Sequence, residues 1–375
     1  MVANDLLEKL ILLRRQLHMH AELSGNEKET VSVVNKFVRL CNPDRIIPEI
    51  GKTGIAYIYK GSKKGPVLLV RSDMDAIPIP ETSNLQWSSL NQGVSHKCGH
   101  DGHMAILAGL AALLSENKPV AGTVVLLFQP SEENGKGAFD VINDHRFSAI
   151  EPDFVIGLHN VPGYDKGSIL LKEGTFSMAS KGLRLIFRGI GAHACNPSGG
   201  VDPTPALIEF VEKTALGKMG VTVCHLQSGE PSFGLCPGSA QVFLTIREER
   251  STAIQNICDD LTAAAARVCE KYGLTLKSDF HDEFPETRND KEVISFCRKA
   301  AGLSGLKTVK RDQPFTWSED FGYFTQNYKG ALLGLGAGKN TPPLHHPGYD
   351  FPDEIIPDGV NFLYHTVQVI TGEGK

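Results

Sequence analysis

Thr123-Val-Val-Leu-Leu-Phe128 is an unbroken apolar and β-branched run that continues directly into Gln129-Pro-Ser-Glu-Glu-Asn-Gly-Lys-Gly-Ala138. A strand with no polar face cannot border solvent, so it belongs in a sheet covered on both sides. The turn at Pro130 delivers Glu132 and Glu133 at the C-terminal end of that strand. In open α/β sheets, ligands sit at the C-terminal ends of the parallel strands. Adjacent side chains of an extended segment point opposite ways, which allows one glutamate to bind a metal ion while the other faces a substrate as a base. An exposed acidic turn would read the same if this motif stood alone.

Working outward, Gly54–Tyr59, Val67–Arg71 and Phe154–Leu158 read as further apolar strands, and Asp5–His20, Glu29–Leu40 and His103–Ser115 as helices. Alternating β and α elements imply an α/β layer structure. From Gly182 to about His281 the order becomes β-α-β-β-α-β, a self-contained ferredoxin-like α+β sandwich. Asn289-Asp290 can cap the next helix, and the apolar run ALLGLG at 331–336 returns to the first sheet. The expected fold is therefore α/β: a mixed, mostly parallel sheet flanked by helices, with an inserted α+β domain. Residues 1–179 plus 291–375 form the first domain and 180–290 the second.

A chain of 375 residues is too long for one ordinary core, in keeping with two domains. Its 41% hydrophobic and 22% charged residues are those of a soluble globular protein. A net charge of −5 leaves no electrostatic footprint for nucleic acid or an anionic membrane. The N-terminal segment carries Asp5 and Glu8 within a helical apolar pattern, unlike a signal peptide. No window approaches the roughly 18 apolar residues of a membrane-spanning helix. The location expected from these features is the cytoplasm. Eight scattered cysteines read as reduced thiols, mostly buried, with Cys98 set apart by its neighbours.

Those neighbours form the densest polar cluster, Ser95-His-Lys-Cys-Gly-His-Asp-Gly-His103. Cys98, His100, Asp101 and His103, with His96 beside them, combine thiolate, imidazole and carboxylate, the donors of a divalent transition-metal site. The strand PDFVIGLHN ends in His159, and the loop PPLHHPGYDF supplies His345 and His346. Each is ambiguous singly. Together they repeat one pattern, candidate ligands at strand ends of one domain.

The segments RRQLHMHAELSG, TGIAYIY, RSDMDAIP, HKCGHDGHMA, FQPSEENGKGA, GLHN, GIGAHA, WSEDFGYF and LHHPGYDFPDE resemble, in order, those of the M20 metallopeptidases. The likeness is to the amidohydrolase branch, with hippurate, N-acyl-amino-acid and auxin-conjugate hydrolases, and it covers nearly the whole chain. The resemblance implies two divalent metal ions per subunit (Zn or Mn, with Co or Ni also able to fit) held by Cys98, His100, Glu133, His159 and His345, Cys98 being shared. It implies Glu132 as general acid/base, Asp75 as the carboxylate orienting an active-site group, Asp73 as a lesser support, and Glu319 close by without being a ligand. The inserted domain resembles a lid or dimerisation domain, which implies a homodimer in which His193 steadies the oxyanion in the other subunit's site. The implied reaction is hydrolysis of the amide bond of a small N-acyl amino acid or related conjugate.

Two departures bear on the substrate. Ala21 replaces a common proline, a minor change. Gly234 stands where many relatives carry an asparagine that helps bind the substrate carboxylate. Arg247 is the remaining candidate for that carboxylate, with pairing to an acid of its own domain as the alternative. Gly189-Ile-Gly-Ala-His-Ala194 lacks the helix a dinucleotide fingerprint needs, and Gly334–Lys339 lacks P-loop spacing. A dipeptidase of the same fold and a catalytically silent, metal-stabilised binding protein are the competing readings.

Overall fold

The computed structural model describes residues 2–372, which fall into two compact units. The first comprises the chain up to Phe176, Thr287–Pro314 and everything described from Glu319 onward; the second comprises Ser177–Glu286 and Phe315–Ser318.

The first unit is built on an eight-stranded mixed sheet. Its four central strands, Ala121–Gln129, Lys63–Asp73, Phe154–Val161 and Lys329–Gly336, lie side by side and parallel. Val124 through Gln129 are all buried, as a strand without a polar face requires. ALLGLG does rejoin this sheet, with Gly334 opposite His159 across the parallel pair. Short strands extend its edges: Arg45–Ile50 and Thr308–Lys310 are of mixed composition and carry little apolar signal, and Ile169–Leu171 is apolar and buried but only three residues long. Among the described residues, no helix is long and apolar enough to cross a membrane.

The helix expected from His103 begins at His100 and runs to Glu116. Gly99 makes the earlier start possible: its φ of 91° turns the chain sharply into the helix, a conformation that suits glycine. Residues His100 through Ala111 are all buried. A helix apolar on every side needs covering on every side, and it lies so close to the C-terminal segment that a Cβ on Gly102 would meet the Phe351 ring at 2.3 Å.

The second unit carries a four-stranded antiparallel sheet in the order Val221–Ser228, Ser239–Glu248, Ala179–Arg188, Thr275–Phe284. Helices Thr204–Phe210 and Ser251–Tyr272 pack their buried residues into a separate apolar core with this sheet.

Two polar features stabilise the first unit. Asp290 caps the helix Lys291–Leu303 by accepting the Glu292 and Val293 amides. Behind the cysteine–histidine segment, His18 bonds Asp101 through Nδ1 (2.8 Å) and Glu81 through Nε2 (3.0 Å), all three largely buried. Arg14 adds Asp350 and Asp353, and Lys97 adds Glu81 and the Tyr349 carbonyl. Burial works against charge on His18, but its bonds to Asp101 and Glu81 outweigh that and raise it to about 9. Burial likewise opposes charge on Glu81, and His18 and Lys97 still bring it down to about 2.

Asp290→Ala is expected to cost about 1 kcal/mol of stability in urea unfolding, and Asp290→Asn to restore most of it. The His18 contribution follows from its raised pKa: it is complete below the unfolded value of 6.5 and fades as pH rises through about 9. Glu81 behaves oppositely, contributing above 4.5 and losing that contribution as pH falls through about 2. Unfolding measured in chelator should therefore separate parent from His18→Gln by on the order of 2–3 kcal/mol at pH 6, with the gap narrowing steadily toward pH 9.5. A gap constant across that range would contradict a charged His18.

Candidate metal centre

The parallel arrangement carries the candidate residues to one end of the sheet. Asp73 closes its strand and Asp75 follows; Glu132 and Glu133 follow Gln129; His159 lies near the end of the third strand; His345 sits in the loop after the fourth. Cys98 and His100 arrive from the side, at the entry of the buried helix.

Donor atoms of Cys98, Glu133 and His345 lie within 4.8 Å of one another, as do those of His100, Glu132 and Glu133, and those of Asp73, His100, His103 and His159. The spacings are informative. His100 Nε2 stands 3.8 Å from Glu133 Oε1 and 3.9 Å from Glu132 Oε2; His345 Nε2 is 3.5 Å from Glu133 Oε1; Cys98 Sγ is 3.6 Å from His159 Nε2. The nitrogen–oxygen gaps are too long for strong hydrogen bonds. They match the distance between two ligands that each reach about 2.0–2.3 Å to a common ion. His100 Nε2 and Glu133 Oε1 are also buried with no hydrogen-bond partner, a costly state unless a cation takes their lone pairs.

The ring tautomers agree. His100 Nδ1 donates to the Asp75 carbonyl (2.8 Å) and His159 Nδ1 to the Asn160 carbonyl (2.9 Å). A carbonyl only accepts, so in both rings Nδ1 carries a proton and Nε2 is the nitrogen left to face a metal ion, as in the usual metal-ligating histidine. His103 differs: Nδ1 bonds Asp73 (2.6 Å) and Nε2 meets the Asn160 amide (3.1 Å), so both nitrogens are engaged. Asp101 turns away to His18, and His346 Nδ1 accepts the Gly348 amide of its own loop.

Glu132 and Glu133 depart from the expected opposite-facing pair. Ser131 has a φ of 57°, so the segment is a tight turn rather than extended backbone, and both carboxylates approach the same His100 ring. Asp75 fixes the turn, accepting the Glu132 and Glu133 amides at 3.0 Å each on its two oxygens and the Ser24 hydroxyl at 2.6 Å.

The sequence reading overlooked Arg71. Fully buried, it bonds Asp73, Glu319 and Asp320 at 2.7 Å each and Gln129 at 2.8 Å. A permanent cation at the end of an apolar strand, two residues before Asp73, was the available signal. Glu319 is accordingly held by Arg71 and by the Phe321 amide. Burial pushes Glu132 well above the carboxylate range, with Glu133, Glu319 and Asp320 adding to it. Burial also lifts the Cys98 thiol, reinforced by Glu133 and Glu132, while burial beside His103 pushes His159 well down. Burial disfavours charge on His100, yet Asp73, Asp75 and Glu133 raise it to about 10. The centre is thus short of positive charge.

The other two candidates belong to the second unit. His193, on the short strand Ala192–His193 paired with Leu235–Cys236, is exposed; its Nδ1 accepts the Cys195 amide. It lines an open cavity of about 680 Å³ with Arg184, Arg188 and Gln241. Arg247 bonds the Thr316 carbonyl and the Ser318 hydroxyl, neutral oxygens rather than an acid. A Cβ on Gly234 would meet nothing within 4 Å, so packing does not demand glycine there.

Comparison with known proteins adds to this geometry. The chain is 32% identical to an N-acetyl-L-cysteine deacetylase of Bacillus subtilis, across 96% of this chain and 88% of that protein. It is 28% identical to an N-acetyldiaminopimelate deacetylase of Lactobacillus helveticus, across 95% and 96%. A crystal structure from Bacillus subtilis, described as a dinuclear metal-binding peptidase of the M20 family, superposes with a TM-score of 0.84 at 27% identity, covering 99% of both chains. Residues 69–369 match Peptidase family M20/M25/M40. The chain is a member of that family.

Proposed function

We propose that this chain is a metal-dependent amidohydrolase that cleaves the amide bond of small N-acyl amino acids or related conjugates. The observation that carries the reading is the pair of buried, unpartnered atoms His100 Nε2 and Glu133 Oε1, 3.8 Å apart, with further metal-ligating side chains gathered around them. The deacetylase relatives favour an N-acyl substrate.

In this reading Cys98, His100, Glu133, His159 and His345 would hold two divalent ions. Cys98 lies close both to His159 and to Glu133 and His345, and would be the ligand shared by the two sets. Thiolate and imidazole suit Zn, and Mn, Co or Ni fit the same donor types. When bound, the ions would supply Lewis acidity toward the scissile carbonyl and the attacking water. Glu132 takes the water proton and later returns it to the departing amine. Its buried, carboxylate-crowded setting favours holding a proton between those two events. Asp75 keeps Glu132 aimed through the main chain and keeps the His100 ring in its ligating orientation.

The second unit serves as lid and dimerisation domain, with His193 donating to the oxyanion in the partner subunit's site. Arg247, bonded only to neutral oxygens, retains its charge for a substrate carboxylate. Gly234 loosens that requirement, so conjugates without a free carboxylate enter the substrate range.

The test is release of free amine from hippurate, N-acetyl amino acids, dipeptides and uncharged N-acyl amines by metal-reconstituted protein, with a chelated control. Glu132→Gln should keep its metal and lose about 10²–10⁴-fold in kcat; normal turnover would remove Glu132 from the chemistry. His159→Ala should bind measurably less metal by elemental analysis, and unchanged content would sink that assignment. Dipeptides turned over in preference to acyl amino acids would favour the dipeptidase reading. Two bound metals without turnover of any compound would favour a silent binder.

A further inference from the structure

Glu27, at the entry to the helix Lys28–Val38, is fully buried, and its carboxylate is committed to neutral donors. Oε1 accepts the Gly25 amide (2.8 Å), the Ser131 amide (2.9 Å) and, more distantly, the Ser131 hydroxyl (3.4 Å). Oε2 accepts the Thr53 hydroxyl at 2.5 Å, and Thr53 lies in the hairpin connection between strands Arg45–Ile50 and Gly54–Lys60. Glu27 therefore joins three segments far apart in sequence.

What it grips is the turn that carries the two glutamates. Ser131, Glu132 and Glu133 offer three successive amides; Glu27 takes the first and Asp75 takes the next two. Ser131 is left-handed at φ 57°, a conformation that residues with a Cβ rarely adopt without external restraint. Released, the Ser131 backbone would relax toward ordinary φ, and both carboxylates would swing with it.

We propose that Glu27 is a positioning residue for the reaction: anchored by Thr53, it holds Ser131 in the left-handed turn that aims Glu132 and Glu133 at the metal centre. This rests on the reading of Glu132 as base and Glu133 as ligand. The geometry separates Glu27 from a general packing residue, because the strain it restrains sits at one backbone position and can be relieved there independently. Glycine adopts positive φ at no steric cost, so Ser131→Gly lets the turn form without the restraint.

The experiment uses full-length, metal-reconstituted Glu27→Ala, Glu27→Gln, Ser131→Gly, the Glu27→Ala/Ser131→Gly double variant and Glu132→Gln. Each is assayed on the best substrate of the panel and challenged with chelator. Glu27→Ala should lower kcat by about 10²-fold, with KM within about threefold, as expected for a misplaced base. It should release metal at about tenfold lower chelator, because Glu133 moves with the turn. Glu27→Gln keeps an oxygen for the Ser131 amide and should stay within about fivefold of the parent, and adding Ser131→Gly to Glu27→Ala should recover about tenfold in kcat. A folded Glu27→Ala with parental kcat and metal retention overturns the proposal, as does a loss that neither rescue alters. If Glu27→Ala does not fold, Thr53→Val takes its place: about a fivefold loss of kcat recovered by Ser131→Gly supports the proposal, and no loss overturns it. Glu132→Gln separates the two levels. Full activity there defeats the base assignment itself; an inactive Glu132→Gln beside an unaffected Glu27→Ala defeats only the role of Glu27.

Discussion

Charge balance around Arg71 is the constraint on which the centre depends. Asp73, Asp75, Glu132, Glu133, Glu319 and Asp320 converge at the end of the sheet, almost all of them buried. Arg71 neutralises part of this by bonding Asp73, Glu319 and Asp320 together. Removing one member of such a buried group typically costs about 3–5 kcal/mol, because the others are left unpaired. Arg71 does not bond Glu132 or Glu133, and these press on each other. Arg71 thus supplies a permanent cation on one side of the site and leaves an excess of negative charge on the other, where His100 and Glu133 present unpartnered atoms. On the proposed reading, the metal ions belong at that second position.

This arrangement explains why the site was partly legible in the sequence. The apolar strands were visible because burial on both faces leaves no polar alternation, and parallel pairing then puts their C-terminal residues together. His159 and the Glu132–Glu133 pair could be placed by that logic, and family likeness gathered His345 and Cys98. The elements that escaped are those whose stability comes from neighbours. Strand Thr308–Lys310 carries no apolar run and exists because Ile169–Leu171 pairs with it. The early start of the buried helix depends on the backbone of Gly99, which reads like any loop glycine.

The misreading of Glu132 and Glu133 has a similar origin. Extended geometry was a fair inference from the preceding strand, but a serine at φ 57° reverses it, and nothing local in Pro-Ser-Glu-Glu announces that conformation. Its cause lies about a hundred residues away, in Glu27, whose setting among Asn26 and Lys28 looks like solvent-facing sequence. Long-range polar contacts of this kind leave no periodicity, so composition and spacing cannot reveal them. His103 teaches the reverse lesson. By residue type and spacing it looked as much like a ligand as His100; the resemblance chose between them, and in the structure both of its ring nitrogens are taken, by Asp73 and Asn160.

The pairing of Lys329–Gly336 beside Phe154–Val161 has a consequence for the order of events on the ribosome. The strand bearing His159 is made early, and its neighbour emerges only after about 170 further residues, among them the whole antiparallel unit with its own core. Until then one edge of Phe154–Val161 has no parallel partner, and His345 has not been synthesised. The antiparallel unit closes through contacts within a short span of chain, whereas the catalytic sheet is completed last. With His345 in the proposed ligand set, full metal capture waits for this last segment, and the nascent protein passes through a stage with a finished second domain and an open sheet edge.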